Sequence, residues 1–366
     1  MTKKLNGEIR LYDFFAGCGG TSLGFKQAGI KQAMALDSDC QAAETYKLNF
    51  PHVPVINKKI EDVCFDEVSL HFIKNEIKLF CGCAPCQPFT KQNTNAGISS
   101  QKDARRGLLF HFAKIVHKFQ PELIFIENVP GIQKVSLDCI NPFNHFLNQL
   151  ENDGYYYDYS VIASQDFGAA QIRKRLILVA SKLSEIHIPK PRYGPKTKKP
   201  YKTVNDMISF LPPIKHGEEH HNKKQFPNHR ASKLSSINLE RIRHTNSKGR
   251  RNWPERLLPK CYTKTTDGVK HKGHTDCYTR LSWDEPAPGL TTRFISYSNG
   301  RFGHPDQDRA ISIREAALLQ GFPNKFVFTG SMNSMARQIG NAVAVPVAKS
   351  FGLHLKKHVT NHFREA

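Results

Sequence analysis

The sequence predicts an α/β protein: a doubly wound, Rossmann-like sheet, with a smaller irregular domain inserted before the C-terminal segment. Three observations predict it. Short β-prone runs alternate with helical periodicity as far as Ser181. A glycine turn at Gly17, Gly19 and Gly20 joins the first strand to the first helix. After Ser181 the apolar runs shorten, and Pro, Lys, His, Asn and Ser take over.

The elements follow in order. Ile9–Phe15 is β-prone, and a helix is expected from Thr21 or Ser22 to Gln27, stopped by Gly29. Ala33–Leu36 reads as a second strand and Gln41–Asn49 as a second helix. Ile77–Phe80 leads into a cysteine cluster, and Leu108–Phe119 has helical spacing. Leu123–Ile126 and Arg175–Ala180 are continuous apolar runs, as in strands of a buried parallel sheet. Pro189, Pro191, Pro195 and Pro200 mark a linker into the second domain. Pattern returns at Ile311–Gln320, with Ser312 as N-cap and Glu315 completing a capping box, and at Val345–Lys357. The expected division is 1–193 plus 315–366 for the sheet domain and 194–314 for the insert.

Charge narrows the class. The chain carries 53 Lys plus Arg against 32 Asp plus Glu, a net +21, which favours a polyanionic partner through counterion release. Residues 182–279 hold 22 basic against 8 acidic side chains, a surplus of +14. That asymmetry points to a segment facing nucleic acid. No run of about 18 apolar residues suggests a membrane span, and no apolar stretch follows the N-terminal lysines, so a cytoplasmic protein is expected. Nine cysteines, with Cys81, Cys83 and Cys86 crowded together, fit a reducing compartment better than a disulfide framework. With no second Cys-x-x-Cys and no nearby His pair, that cluster predicts no metal site.

Two signals carry chemistry. Asp13–Gly20 is a strand-to-helix turn with Gly-x-Gly-Gly rather than Gly-x-Gly-x-x-Gly, so a nucleoside without a pyrophosphate suits it better than a dinucleotide. Asp37, ending the next strand, stands where an acidic side chain accepts ribose hydroxyls. Cys86 lies on a loop stiffened by Pro85 and Pro88 beyond a strand end, the place for a thiolate nucleophile. Glu127 ends an apolar strand, where packing does not explain a carboxylate. Arg173 and Arg175 alternate, which on one strand would aim both at the same face.

Taken together, the segments Phe15–Gly20, Pro85-Cys86-Gln87, Glu127-Asn128-Val129, Gln171-x-Arg173-x-Arg175, Arg280–Trp283 with Pro286–Pro288, Arg314–Gly321 and Gln338–Val343 resemble the cytosine-C5 DNA methyltransferase family of bacterial restriction-modification type. They stand in that family's order, and residues 182–279 fall where it carries a variable target-recognition region. The resemblance implies an S-adenosylmethionine-dependent methyltransferase sheet and a DNA-binding target-recognition domain. It implies that Phe15, Gly17, Cys18, Gly19, Gly20, Asp37, Pro85, Leu108, Asn341 and Val343 line the cofactor. It makes Cys86 the nucleophile and Glu127 the acid at cytosine N3. Asn128 would support the loop carrying Cys86, and Arg173 and Arg175 would touch the flipped cytosine and hold that loop. Gln87, Arg241, Arg243, Arg250, Arg251 and Arg280 are the expected DNA contacts. Double-stranded DNA is the expected partner of a monomer, beside a cognate restriction endonuclease acting on the same site. Two departures stand out. Lys58 and Lys59 precede Ile60, where the family often has an acidic residue for the adenine amino group, leaving Glu61 or Asp62 as substitutes. Gly289 stands where Thr is usual after Pro288.

The chemistry needs these groups. Cytosine C5 is a poor nucleophile. Thiolate addition at C6 makes an enamine, with charge at N3 met by a protonated carboxyl. A stacked base is out of reach, so it must swing out of the duplex.

Overall fold

A computed structural model describes residues 7–85, 107–134, 140–246, 253–259, 265–266, 269–270 and 277–365. These form two compact units: residues 1–167, 174–193 and 342–366, and residues 168–173 and 194–341. The sequence places 315–341 with the sheet domain; here it clusters with the second unit. The reason lies in buried polar side chains, described below, that tie this segment to loops of that unit.

The first unit is the sheet. Its strands are β1 (Ile9–Phe14), β2 (Lys31–Leu36), β3 (Val55–Ile56), β4 (Ile77–Gly82), β5 (Leu123–Asn128), β6 (Tyr156–Ala163) and, after β7 (Gln171–Ile172) of the second unit, β8 (Lys174–Ser181). They lie in the order β3-β2-β1-β4-β5-β8-β6. Strands β1 to β5 run parallel, while β8 is antiparallel to both β5 and β6. The reversal at β8 departs from the parallel sheet expected of its apolar run: burial on both faces makes any central strand read apolar, whichever way it runs.

Strands alternate with α1 (Gly20–Gln27), α2 (Cys40–Asn49), α3 (Phe65–Ser69), α4 (Leu108–Phe119) and α5 (Pro142–Asn152). Asp39 caps α2, its carboxylate accepting the amides of Gln41 and Ala42. Asn141 caps α5, with Pro142 in the first turn. The core joins Tyr12, Phe14 and Phe80 of the sheet to Phe112 and Val116 of α4 and Phe143 and Phe146 of α5. The sequence does not announce α5 or β6. Strand β6 is largely exposed at the sheet edge, so no burial pattern marks it.

The last helix, Val345–Glu365, packs on α1 within this unit. Gly24 permits that closeness: a Cβ there would fall 2.4 Å from the Ala348 Cβ.

The second unit has little regular structure: α6 (Val204–Ile208), α7 (Ser236–Arg243), α8 (Ile313–Leu319), α9 (Met332–Asn341), a β9–β10 hairpin (Thr265–Thr266, Val269–Lys270), and β7 (Gln171–Ile172) paired with β11 (Ala287–Pro288). The final helix of the first unit is thus α10. Ser312 caps α8, and Glu315 returns its carboxylate to the Ser312 amide at 2.7 Å, the expected capping box.

Buried ions hold this unit together. Arg309 and Glu315 are fully buried and pair through two contacts of 2.7 and 2.8 Å. That bidentate geometry offsets the cost of removing both from water. It holds the Glu315 carboxyl down at about 2 despite burial. Arg314, also fully buried, donates to the Pro227, Pro323 and Phe326 carbonyls. These bonds, with Gln320 below, draw 315–341 into the second unit.

Candidate active site at the carboxyl ends of the parallel strands

Strands β2, β1, β4 and β5 end on one edge of the sheet, and β1, with β2 on one side and β4 on the other, lies where the strand order reverses. Ligands in open α/β sheets bind at that edge. Loops leaving these four strands carry most of the expected site residues of the first unit.

Beyond β1, Phe15 adopts φ +69°, Gly17 φ +54° and Gly19 φ +94°. A phenylalanine in the left-handed region costs about 1 kcal/mol and is held there by its surroundings. The Ala16 amide donates to the Leu36 carbonyl at 2.9 Å, and the Gly17 amide to the Asp37 carboxylate at 2.7 Å. The other Asp37 oxygen accepts the Asp39 amide at 2.8 Å, and burial pushes the Asp37 carboxyl above its ordinary value. A Cβ built at Gly17 meets nothing within 4 Å, whereas one at Gly19 would fall 2.5 Å from the Phe50 ring. Space is therefore open over Gly17 and closed behind Gly19. Gly20 opens α1, and Cys18 is buried, its thiol pushed up to about 12, so only backbone at Cys18 suits a ligand.

Beneath the turn, fully buried Asp13 accepts the Ser22 hydroxyl at 2.7 Å, and Ser22 accepts Tyr46 at 2.9 Å. Burial raises the Asp13 carboxyl to about 7. Leu108 begins α4 and packs on the core, Pro85 is exposed, and Val343 is buried. Asn341 is exposed at the end of α9 in the second unit. Lys58 pairs with Glu67 at 2.6 Å, while Glu61 and Asp62 are exposed on a 3-10 turn anchored by buried Ile60.

At the ends of β4 and β5, Glu127 is buried and its Oε1 lies 2.8 Å from Arg175 Nε. Asn128 donates from Nδ2 to the Ala84 carbonyl at 3.2 Å, while its Oδ1 accepts the Val129 amide at 2.8 Å. Asn128 thus ties the end of β5 to the loop two residues before position 86. Cys86 and Gln87 themselves lie outside the described residues, as do Arg250 and Arg251. Cys81 and Cys83 lie with sulfurs 3.5 Å apart, and burial holds the Cys81 thiol well above its ordinary value. That makes Cys81 an inert packing residue.

The second unit corrects three expectations. Arg173 and Arg175 do not alternate along one strand: Arg173 falls in the break between β7 and β8, which belong to different sheets. Arg173 is buried and donates to the Leu290 carbonyl at 2.6 Å and the Gly340 carbonyl at 2.9 Å. Arg280 is no surface contact either: its guanidinium makes five hydrogen bonds, to the carbonyls of Thr245, His304, Gln307 and Ile242 and to Asp308. Five donors is all an arginine has. Arg241 is likewise buried, bonded to the Leu257 carbonyl and Asn238 and lying over the rings of Trp253 and Tyr278. Arg243 is exposed, 3.5 Å from Asp308.

The reading of the sequence missed that Gln171 and Gln320 bond to each other, while Gln171 also accepts the Leu290 amide and Gln320 donates to the Ile339 carbonyl. Both glutamines stand within motif segments already singled out; the long sequence separation hid their pairing. At Gly289 a Cβ would lie 3.1 Å from the Ile172 carbonyl, so the departure from Thr relieves crowding against β7.

Residues 9–357 match the family model for C-5 cytosine-specific DNA methylase. A Type II methylase, M.HgiDII of Herpetosiphon aurantiacus, is 35% identical over 94% of this chain and 94% of its own. A Type II methyltransferase, M1.HphI of Haemophilus parahaemolyticus, is 29% identical over 95% of this chain and 87% of its own. Among solved structures, a candidate DNA modification methyltransferase encoded within an E. coli prophage shares the fold, with TM-score 0.67 and 24% identity over 96% of this chain and 99% of its own.

Proposed function

We propose, from the premise that the chain belongs to the C-5 cytosine-specific DNA methylase family, how its residues divide the work of a DNA (cytosine-5)-methyltransferase that uses S-adenosylmethionine. In this reading it methylates a cytosine flipped out of a specific duplex sequence, as the modification enzyme of a restriction-modification system. It acts as a monomer on the site of a cognate endonuclease.

The arrangement that carries the reading is at the end of β5, where Glu127 is held by Arg175 and Asn128 is bonded to Ala84. Cys86, on the loop that Asn128 anchors, adds through its thiolate to C6 of the flipped base. The protonated carboxyl of Glu127 donates to N3 as electron density moves there, and Arg175 orients that carboxyl against the ring. C5, made nucleophilic, would take the methyl group as its bond to the sulfonium breaks and a neutral thioether leaves; water would then accept the C5 proton, and the electrons of that C–H bond would expel the Cys86 thiolate.

The turn after β1 fits the cofactor. Open space over Gly17, the Asp37 carboxylate and the strained Phe15 suit an adenosine with a short amino-acid tail. When bound, S-adenosylmethionine supplies an electrophilic methyl carbon. Phe15 would face the adenine, Asp37 would hold the ribose hydroxyls, and the backbone of Gly17–Gly20, with Pro85, Leu108 and Val343, would complete the pocket, while Asn341 stays assigned to the cofactor from its place in the sequence. DNA recognition is assigned to the irregular domain, supported by the +14 surplus in residues 182–279 and by exposed Arg243. Gln87, Arg250 and Arg251 remain assigned to DNA from their place in the sequence.

A trap decides the mechanism. Duplex DNA carrying 5-fluorocytosine should give a denaturant-stable adduct with the wild-type chain and none with Cys86→Ser. A Cys86→Ser chain that labels DNA at the wild-type rate overturns the reading.

A further inference from the structure

Asp13 is fully buried in β1, beneath the glycine turn. Side chains alternate along a strand, so Tyr12 and Phe14 join the apolar core on one face of the sheet while Asp13 faces α1 on the other. A carboxyl there costs free energy that an apolar side chain would not, so packing does not account for it. It is built into a chain of bonds: Asp13 accepts the Ser22 hydroxyl at 2.7 Å, and Ser22 accepts that of fully buried Tyr46 at 2.9 Å. Ser22 lies in the first turn of α1, the helix that follows the glycine turn. Burial raises the Asp13 carboxyl to about 7, against the bond from Ser22 and with a push from Asp37, whose own carboxylate takes the Gly17 amide. Among the described residues the titratable groups that face Asp13 are Cys81, opposite it on β4, Tyr46 on α2 and Asp37 beyond β2. Burial keeps the Tyr46 hydroxyl and the Cys81 thiol protonated at neutral pH. That leaves the two carboxyls to give up or take a proton there.

We propose that Asp13 is a positioning residue for the cofactor, holding the start of α1 through Ser22, and that seating S-adenosylmethionine in the turn draws the proton from its carboxyl. This rests on the assignment of the turn to that cofactor made above. The sulfonium is a positive charge, and a positive charge brought near a carboxyl favours its ionised form. The O–H bond breaks, its electrons stay on the carboxylate and the proton passes to the buffer. A carboxylate accepts the Ser22 hydroxyl more strongly than the neutral acid does, so ionisation tightens the start of α1 as the turn fills. S-adenosylhomocysteine has the same adenosine and amino-acid tail but a neutral thioether, and exerts no such pull.

Calorimetric titration of the full chain in two buffers of different ionisation enthalpy counts the protons released. The wild type should release about half a proton per S-adenosylmethionine at pH 7, and its Kd should fall about tenfold between pH 6 and pH 8. S-adenosylhomocysteine should release markedly less. Asp13→Asn keeps an acceptor for Ser22 but has no proton to lose, so its Kd should stay level across that range with no release. Ser22→Ala removes a bond that favours the ionised carboxyl and should move the midpoint of the Kd profile to higher pH; it decides the matter should Asp13→Asn fail to fold. A level wild-type profile, equal release by the two ligands, or release that survives Asp13→Asn and so belongs to Asp37, overturns the proposal. Gly17→Ala is titrated alongside. If it binds as tightly as the wild type, the assignment of the turn falls and the role of Asp13 with it. If it binds more weakly and the wild type releases no proton, the role of Asp13 falls alone.

Discussion

Arg175 Nε meets Glu127 Oε1 at 2.8 Å across two antiparallel strands, β8 and β5, that lie side by side in the sheet. Register puts Glu127 opposite Ile177, so the arginine, two residues earlier on β8, reaches forward along its own strand to the carboxylate. An arginine at 175 therefore fixes the orientation of a buried acid without standing opposite it.

Glu127→Gln keeps the shape and removes the acid, so kcat should fall by about 10²- to 10⁴-fold with the fold retained. Arg175→Ala should cost kcat as well. Because it leaves Glu127 buried without its cation, it should also cost about 1–3 kcal/mol of stability. Steady-state methyl transfer and urea unfolding of both variants check this; an Arg175→Ala chain with wild-type kcat refutes the orienting role.

Gly17 and Gly19 both sit at positive φ but should respond differently to alanine. Gly17→Ala should cost about 1 kcal/mol of backbone strain, and its Cβ would project into the open space, raising the Kd for S-adenosylmethionine. At Gly19 the new Cβ would overlap the Phe50 ring, so Gly19→Ala should cost about 2–4 kcal/mol. Calorimetric cofactor binding beside thermal unfolding separates the two effects.

Arg280 and Arg243 give the opposite contrast. Arg280→Ala strands four carbonyls, three of them in buried bonds, and should destabilise the protein by about 3 kcal/mol or more. Arg243→Ala, at an exposed side chain, should change stability by less than about 0.5 kcal/mol while weakening DNA binding. Urea midpoints and duplex affinity measured together test it; equal stability losses would contradict the burial argument.

Acid stability should depend on Glu315. Its carboxyl is held at about 2 in the folded chain against 4.5 ordinarily, by Arg309. Depression of this kind stabilises the protein fully above about pH 4.5, and the contribution, on the order of 3 kcal/mol, is lost as pH falls toward 2. His304, which burial pulls down to about 4 from 6.5, works in the same direction: it stays neutral when folded and favours unfolding as pH drops from 6.5 toward 4. Glu315→Gln should flatten the lower part of the pH–stability curve; a curve that keeps its wild-type slope below pH 4.5 shows that other carboxylates control acid unfolding.

How much was legible in the sequence follows from how local each feature is. The strand–turn–helix at Ile9–Gln27, helix Leu108–Phe119 and the Ser312/Glu315 capping box are set by neighbours a few residues apart, so pattern alone determines them. Position along the chain also located Glu127 and Asn128 at a strand end and Asp37 near the glycine turn. What tertiary structure decided is which charges are spent inside. Arg241 and Arg280 read like DNA contacts, and Arg173 like a partner of the flipped base, because every arginine looks alike in a sequence. Their partners are backbone carbonyls, mostly far along the chain, that only folding brings within hydrogen-bond reach. The reversed direction of β8 and the pairing of Gln171 with Gln320 have the same origin. Each depends on long-range pairing, which leaves no periodicity in the chain to read.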